Sequence, residues 1–253
     1  MFLIFNKEKI QTYAVSLLTV AVLIGVANIK NIGAIQVSAT EKYLPIYNVQ
    51  TEEPKIAFTM NCAWNADDID SILETLKNNE VHITFFMVGE WVDKYPEAVK
   101  KIYEAGHEIG SHSNTHPHVN NLTAEKNLEE IKLSVDKIEK ITGYKTNLYR
   151  APYGEYNNTV IKTAQQNGFY PIQWNLDTLD YKGLTGEQMW NRLKNKLENG
   201  AIILSHNGTK HTADSLDMLI KNIKSKGYEI ITVSQLIYKD NYIINGNGTQ
   251  IHE

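Results

Sequence analysis

Gly106-His107-Glu108-Ile109-Gly110-Ser111-His112-Ser113-Asn114-Thr115-His116-Pro117-His118 is the stretch that decides how this chain reads. Its apolar start predicts a short strand. Its end carries His112 and His116, four residues apart, a spacing that one turn of helix or a tight loop turns to one side. Imidazole is the commonest protein ligand for zinc and related ions, and two lying side by side need little rearrangement to hold one. A His-rich surface loop gives the same letters, since the chain has eight His and His107 and His118 lie close by. The choice depends on whether acids and a distant His recur at other strand ends.

Outward from this stretch, the chain alternates short apolar runs with amphipathic helical patterns from Pro54 onward. Strands are expected at Lys55 to Met60, Val81 to Val88, the His-bearing stretch, Asn147 to Arg150, Phe169 to Trp174, Ala201 to Leu204 and Tyr228 to Thr232. Between them, helices are expected over Ile69 to Leu76, Trp91 to Glu104, and from Thr123, an N-cap, to Gly143, a stop. Further helices fit Val160 to Gln166, Gln188 to Leu197, Leu216 to Ile223 and Ser234 to Ile237. This rhythm predicts a parallel α/β fold, barrel-like or doubly wound, with its chemistry at the C-terminal strand ends.

Polar residues fall at those ends. Asn61-Cys62-Ala63-Trp64-Asn65-Ala66-Asp67-Asp68 closes the first strand and His112 with His116 the third. Arg150-Ala151-Pro152-Tyr153-Gly154, Asp177-Thr178-Leu179-Asp180-Tyr181 and Leu204-Ser205-His206-Asn207-Gly208 close three others. Singly, Asp68 reads equally well as a helix cap, Arg150 as half of a structural ion pair and His206 as a satisfied core histidine. Five clusters at successive strand ends are hard to explain one at a time.

Composition frames the rest. A chain of 253 residues, 42% hydrophobic and 21% charged, is long enough for one large domain. Its net charge of -4 and dispersed lysines exclude a nucleic-acid surface. Residues 1–39 read as a signal peptide or N-terminal membrane anchor. Lys7 and Lys9 precede the apolar run Tyr13 to Ile29, and Val37-Ser38-Ala39 offers a cleavage site before Thr40. Export and an extracytoplasmic, secreted or membrane-anchored location follow. Residues 40–53 read as a polar tether, 54–237 as the domain, and 238–253 as a polar tail. The single Cys62 excludes an intramolecular disulfide.

By its ordered motifs, the chain resembles the NodB-type polysaccharide deacetylases, carbohydrate esterase family four, over roughly Pro54 to Ile237. The motifs are the first strand end, HSNTH, RAPYG, DTLDY and LSH. The resemblance implies a distorted (β/α) barrel, a monomer, and hydrolysis of N- or O-acetyl groups on a polysaccharide such as peptidoglycan or a chitin-like polymer. It also implies one divalent ion, zinc or else cobalt or nickel, on His112, His116 and a first-motif carboxylate. By the same resemblance His206 is the acid, oriented by Asp180, and Arg150 pairs with the base. Tyr153, Leu204 and Tyr181 line the substrate groove, Leu204 facing the acetyl methyl and Tyr181 replacing a usual Trp.

The first motif departs from the family's Thr-Phe-Asp-Asp-Gly. Thr59-Met60-Asn61-Cys62-Ala63 lacks both carboxylates, and the neutral amide of Asn61 has no useful basicity. Asp68 is the preferred third ligand and Cys62 the runner-up. Two functions stay open: a metal-dependent deacetylase in which Asp67, Asp68 or a metal-bound hydroxide replaces the missing base, or a catalytically silent glycan-binding protein on the same scaffold.

Overall fold

The structure, a computed structural model, describes residues 7–30 and 42–253. The expected cleavage site at Val37-Ser38-Ala39 lies outside them. The chain divides into two units: the helix α1 (Lys7–Lys30) belongs to the first, and the second begins at Lys42. No helix among the described residues is long and apolar enough to cross a membrane.

In the compact unit, strands and helices alternate. β1 (Asn48–Val49) and β2 (Lys55–Cys62) precede α2 (Ile69–Asn78), β3 (Thr84–Met87), α3 (Gly89–Lys94), α4 (Pro96–Glu104) and β4 (Glu108–Ser111). Next come α5 (Ala124–Thr142), β5 (Leu148–Tyr149), α6 (Asn158–Gln166), β6 (Tyr170–Pro171) and β7 (Leu176–Asp177). The chain ends with α7 (Gly186–Leu193), β8 (Ile202–His206), α8 (Thr212–Ser225), β9 (Glu229–Ile231), α9 (Val233–Leu236), β10 (Tyr242–Ile244) and β11 (Thr249–His252). Eight strands form one parallel sheet in the order β6-β5-β4-β3-β2-β8-β7, with β9 against the start of β2. Curled and flanked by helices, this sheet is the distorted (β/α) barrel.

Local chemistry sets the helix ends. Thr123 accepts a hydrogen bond from Lys126 N, and Gly143 ends α5 at φ 70°, a left-handed value that favours glycine. The helix expected over Trp91 to Glu104 is instead two, because Pro96 starts α4 and holds Tyr95 out of helical geometry at φ -129° and ψ 53°.

The sequence reading of a polar tether and a polar tail is corrected by the packing. From Lys42 onward both belong to the packed unit: β1, β11 and β10 make a second sheet, and Leu44, Ile46 and Val49 are buried. The strand order ends at β6 on one side and β7 on the other, and Ile46 pairs along the β6 edge in parallel with Ile172. Its N–H donates to Pro171 O at 2.8 Å and its carbonyl accepts from Gln173 N at 2.7 Å. Gly200 makes room for this segment, since a Cβ there would lie 1.7 Å from Val49 O. Each buried aliphatic side chain of the stretch contributes roughly 1.5–3 kcal/mol.

Candidate active site

The C-terminal strand ends open into a groove of about 620 Å³ lined in part by Asn61, His112, His116, Tyr153, Leu204 and His206. All five sequence clusters reach it or support it, but they do so unequally.

On one side, β8 ends in His206 and the turn after β7 delivers Asp180, 1% exposed. Asp180 Oδ1 accepts from His206 Nδ1 at 2.8 Å and from Tyr181 N at 2.9 Å. Its Oδ2 accepts from His206 N at 2.6 Å and from Thr212 Oγ1 at 2.8 Å. Four donors thus fix the carboxylate, and the carboxylate fixes the imidazole, leaving Nε2 toward the groove. Trp64 and Tyr181, 48% and 46% exposed, flank His206 with ring centroids at 5.3 and 5.4 Å. Such exposed aromatic faces suit the apolar face of a sugar ring.

On the other side, Arg150 is fully buried. Its Nη1 donates to Thr59 Oγ1 at 2.8 Å and to Asn61 Oδ1 at 3.0 Å, and its Nη2 donates to Gln173 O at 3.1 Å. Among the described residues no carboxylate pairs with it. Phe86 lies 4.0 Å beneath the guanidinium as a cation–π partner, and Gly110 leaves room for that ring, since a Cβ there would meet it at 2.6 Å. Burial pushes Arg150 down to about 9, only partly countered by the Asp177 charge.

Asn61 joins Arg150 to the histidines. Because guanidinium only donates, Oδ1 must face Arg150, so Nδ2 faces His112 Nε2 at 3.2 Å. His112 Nδ1 lies 2.8 Å from the Arg150 carbonyl and therefore carries the proton, leaving Nε2 as acceptor. Burial, reinforced by His116, holds His112 well below the usual histidine range. His112 and His116 meet edge to face with centroids 4.9 Å apart, and Tyr153 packs on His116 and His118 at 4.5 Å each.

The loop between the two histidines is held from α5. Glu130 accepts from Asn114 N at 2.9 Å, Thr115 N at 2.8 Å and Ser113 Oγ at 3.0 Å. Ser113, His116, Tyr153 and Leu179 all take positive φ without being glycine, so backbone strain gathers around the groove.

The expected third ligand is not brought to the pair. Among the described residues no group of three His, Cys, Asp or Glu is placed to hold a metal ion. Asp68, the preferred ligand, instead accepts from Gly208 N at 2.7 Å and Asn207 Nδ2 at 3.2 Å, bracing the turn after β8. Nor does its side chain cap α2. Cys62, the runner-up, is in the apolar cluster with Phe58 and Met60, on the face of β2 opposite Thr59 and Asn61, and burial raises its thiol well above the usual range. Two imidazoles, one accepting from a neutral amide, do not fit the divalent site that the resemblance implies. Asp67 is exposed.

Trp64, Trp174, Gln173, Thr212 and Glu130 are site residues that the sequence reading left without a role. Only Trp64 carried a usable signal, an aromatic in a strand-end loop.

The model of the polysaccharide deacetylase family matches residues 48–172. The chain is 30% identical over 206 residues to the peptidoglycan-N-acetylmuramic acid deacetylase PdaA of Bacillus subtilis, covering 80% of this chain and 78% of that one. It is 36% identical over 193 residues to YlxY of B. subtilis, an uncharacterised protein, covering 76% of this chain but only 60% of YlxY. Among solved structures, BA3943 of Bacillus anthracis, a family-four pseudoenzyme, matches with a TM-score of 0.74 at 30% identity, over 83% of this chain and 73% of that one. A BA3943 mutant with restored enzymatic activity matches with the same TM-score, 0.74, at 31% identity, over 77% and 71% of the two chains. Barrel, ordered strand-end clusters and these relatives agree, and the chain belongs to the polysaccharide deacetylase family, carbohydrate esterase family four.

Proposed function

We propose that this chain binds N-acetylated cell-wall polysaccharide, peptidoglycan or a chitin-like N-acetylglucosamine polymer, on a deacetylase scaffold whose hydrolysis is impaired. The observation that carries this is Asn61, whose amide donates to His112 Nε2 where the family's motif has an acid. A group with no basicity cannot take the proton of an attacking water. The Trp64, Tyr181 and Tyr153 faces supply a sugar-binding surface that needs no chemistry. The protein works as a monomer outside the cytoplasm, as suits relatives named for peptidoglycan, with the N-terminal segment serving as a signal peptide or a membrane anchor.

A second reading, slow deacetylation with zinc, cobalt or nickel, is favoured by the His206–Asp180 pair, an orientation that a binding groove does not require. The test is one sample and two readouts: binding of the full chain to purified peptidoglycan, and release of acetate from an N-acetylglucosamine oligomer with and without added zinc. Binding without acetate release is expected. Metal-dependent release would establish the second reading, and absence of binding would remove the first.

A further inference from the structure

The helix α3 brings two opposite charges to the groove, Glu90 and Lys94, both exposed. An acid followed four residues later by a lysine is the order in which helical ion pairs form best. Asp217 and Lys221 on α8 have that order and pair at 2.7 Å. Glu90 and Lys94 do not. Among the described residues neither makes an ion pair or a side-chain hydrogen bond, and Lys94 Nζ lies 5.1 Å from the centre of the Tyr95 ring.

The frame that carries these charges is fixed. Gly89 N donates to Ser113 O and Glu90 N to Asn114 O, each at 2.9 Å, so α3 starts on the loop between His112 and His116. A Cβ at Gly89 would lie 2.4 Å from Asn114 Oδ1, and glycine permits the close approach. Asp93 is tied to Lys137 at 2.6 Å, and Trp91 Nε1 donates to Asn65 O at 3.1 Å. Val88 and Trp91, 4% and 2% exposed, add an apolar wall to the same groove. This end therefore offers a cation, an anionic acceptor and an apolar surface side by side. An uncharged sugar has no use for either charge. A peptide, with a carboxylate, N–H groups and aliphatic side chains, uses all three features.

We infer that the α3 end of the groove holds a short peptide branch carried by the glycan, with its carboxylate on Lys94, its N–H groups on Glu90 and an aliphatic side chain against Val88 and Trp91. This rests on the glycan-binding reading and sharpens it, since it separates a peptide-bearing wall polymer from a bare chitin-like one. Both charges are exposed, so the preference they confer weakens as salt rises.

The experiment is calorimetric titration of the full chain, in chelator so that nothing turns over. The ligands are a tetrasaccharide of alternating N-acetylglucosamine and N-acetylmuramic acid with its peptides, the same tetrasaccharide without them, and the N-acetylglucosamine tetramer. At low salt, wild type should bind the peptide-bearing form about fivefold more tightly, or better, than the peptide-free form. Lys94→Glu should lose that preference while its affinity for the uncharged N-acetylglucosamine tetramer stays within about twofold of wild type. The wild-type comparison decides even if the variant does not fold. Equal affinity of wild type for the two tetrasaccharides, tighter binding of the peptide-free one, or an unchanged preference in a folded Lys94→Glu would overturn the inference and leave glycan binding standing. Binding of none of the three ligands would overturn both.

Discussion

The two sides of the groove solve the same problem, a buried ionisable cluster, in opposite ways. Around His206 the charge is kept: Asp180 is buried, accepts four hydrogen bonds and orients the imidazole. Around His112 it is dismantled. Arg150 has an amide, a hydroxyl, a backbone carbonyl and an aromatic face instead of a carboxylate, and its Nε has no partner among the described residues. Losing one acid therefore did not leave a bare buried cation. Neutral acceptors and a π face stabilise the guanidinium in part, and burial lowers its pKa to about 9. The sides therefore differ in what holds the imidazole: a buried carboxylate on one, a neutral amide on the other.

The sharpest way to break this comparison is Asp180→Ala. It strands four donors, that of Thr212 buried and the other three part-buried, and should cost about 3–5 kcal/mol in denaturant unfolding. A loss under about 1 kcal/mol would mean that the His206 side is not the tightly satisfied one. Next in size is Asn61→Asp, which restores an acid within reach of Arg150. If the missing base is what silences the site, acetate release from an N-acetylglucosamine oligomer at matched metal content should rise by roughly 100-fold or more, the range of general-base catalysis. A fall would show that another acid already serves.

A pH series sharpens the contrast further. The folded pKa of His112 is depressed below its unfolded value, so the unfolded chain binds more protons as pH falls. Stability is then fully present above about pH 6.5, the unfolded histidine value, and is lost progressively below it. His107, pushed down to about 4 chiefly by burial, adds the same trend in any variant. An anion at position 61 raises the His112 pKa, so Asn61→Asp should lose less stability as pH falls from about 7 to about 5. Matching Tm curves for the two proteins would count against the His112 contact. The smallest effect expected is Thr212→Val, which removes one of the four donors to Asp180 and should cost about 1 kcal/mol with glycan binding retained.

Much of this was legible before any coordinates. Period-two and helical spacing placed most elements from Lys55 to Leu236, with ends set by Thr123 and Gly143. The strand-end rule gathers Asn61, His112, His116, Arg150, Asp180 and His206 at one end of the sheet, because in a parallel α/β sheet the C-terminal ends converge whatever lies between them. Less legible were short segments whose order comes from partners far along the chain. Leu44 and Ile46 alternate like a strand, yet the stretch read as a tether because its partners, Pro171, Gln173, Gly200 and Gln250, lie more than a hundred residues away.

The sequence alone determined that two carboxylates are absent from the first motif and that a neutral amide stands there. It could not say what replaced them, since Asp68 and Cys62 were both near enough in sequence. Only the tertiary structure decided that. Asp68 is drawn to the backbone of Gly208, Cys62 faces the apolar side of β2, and Asn61 alone points at both Arg150 and His112. Neighbours along a strand alternate between faces, so adjacency in sequence sets which residues are available, and packing sets which of them can meet.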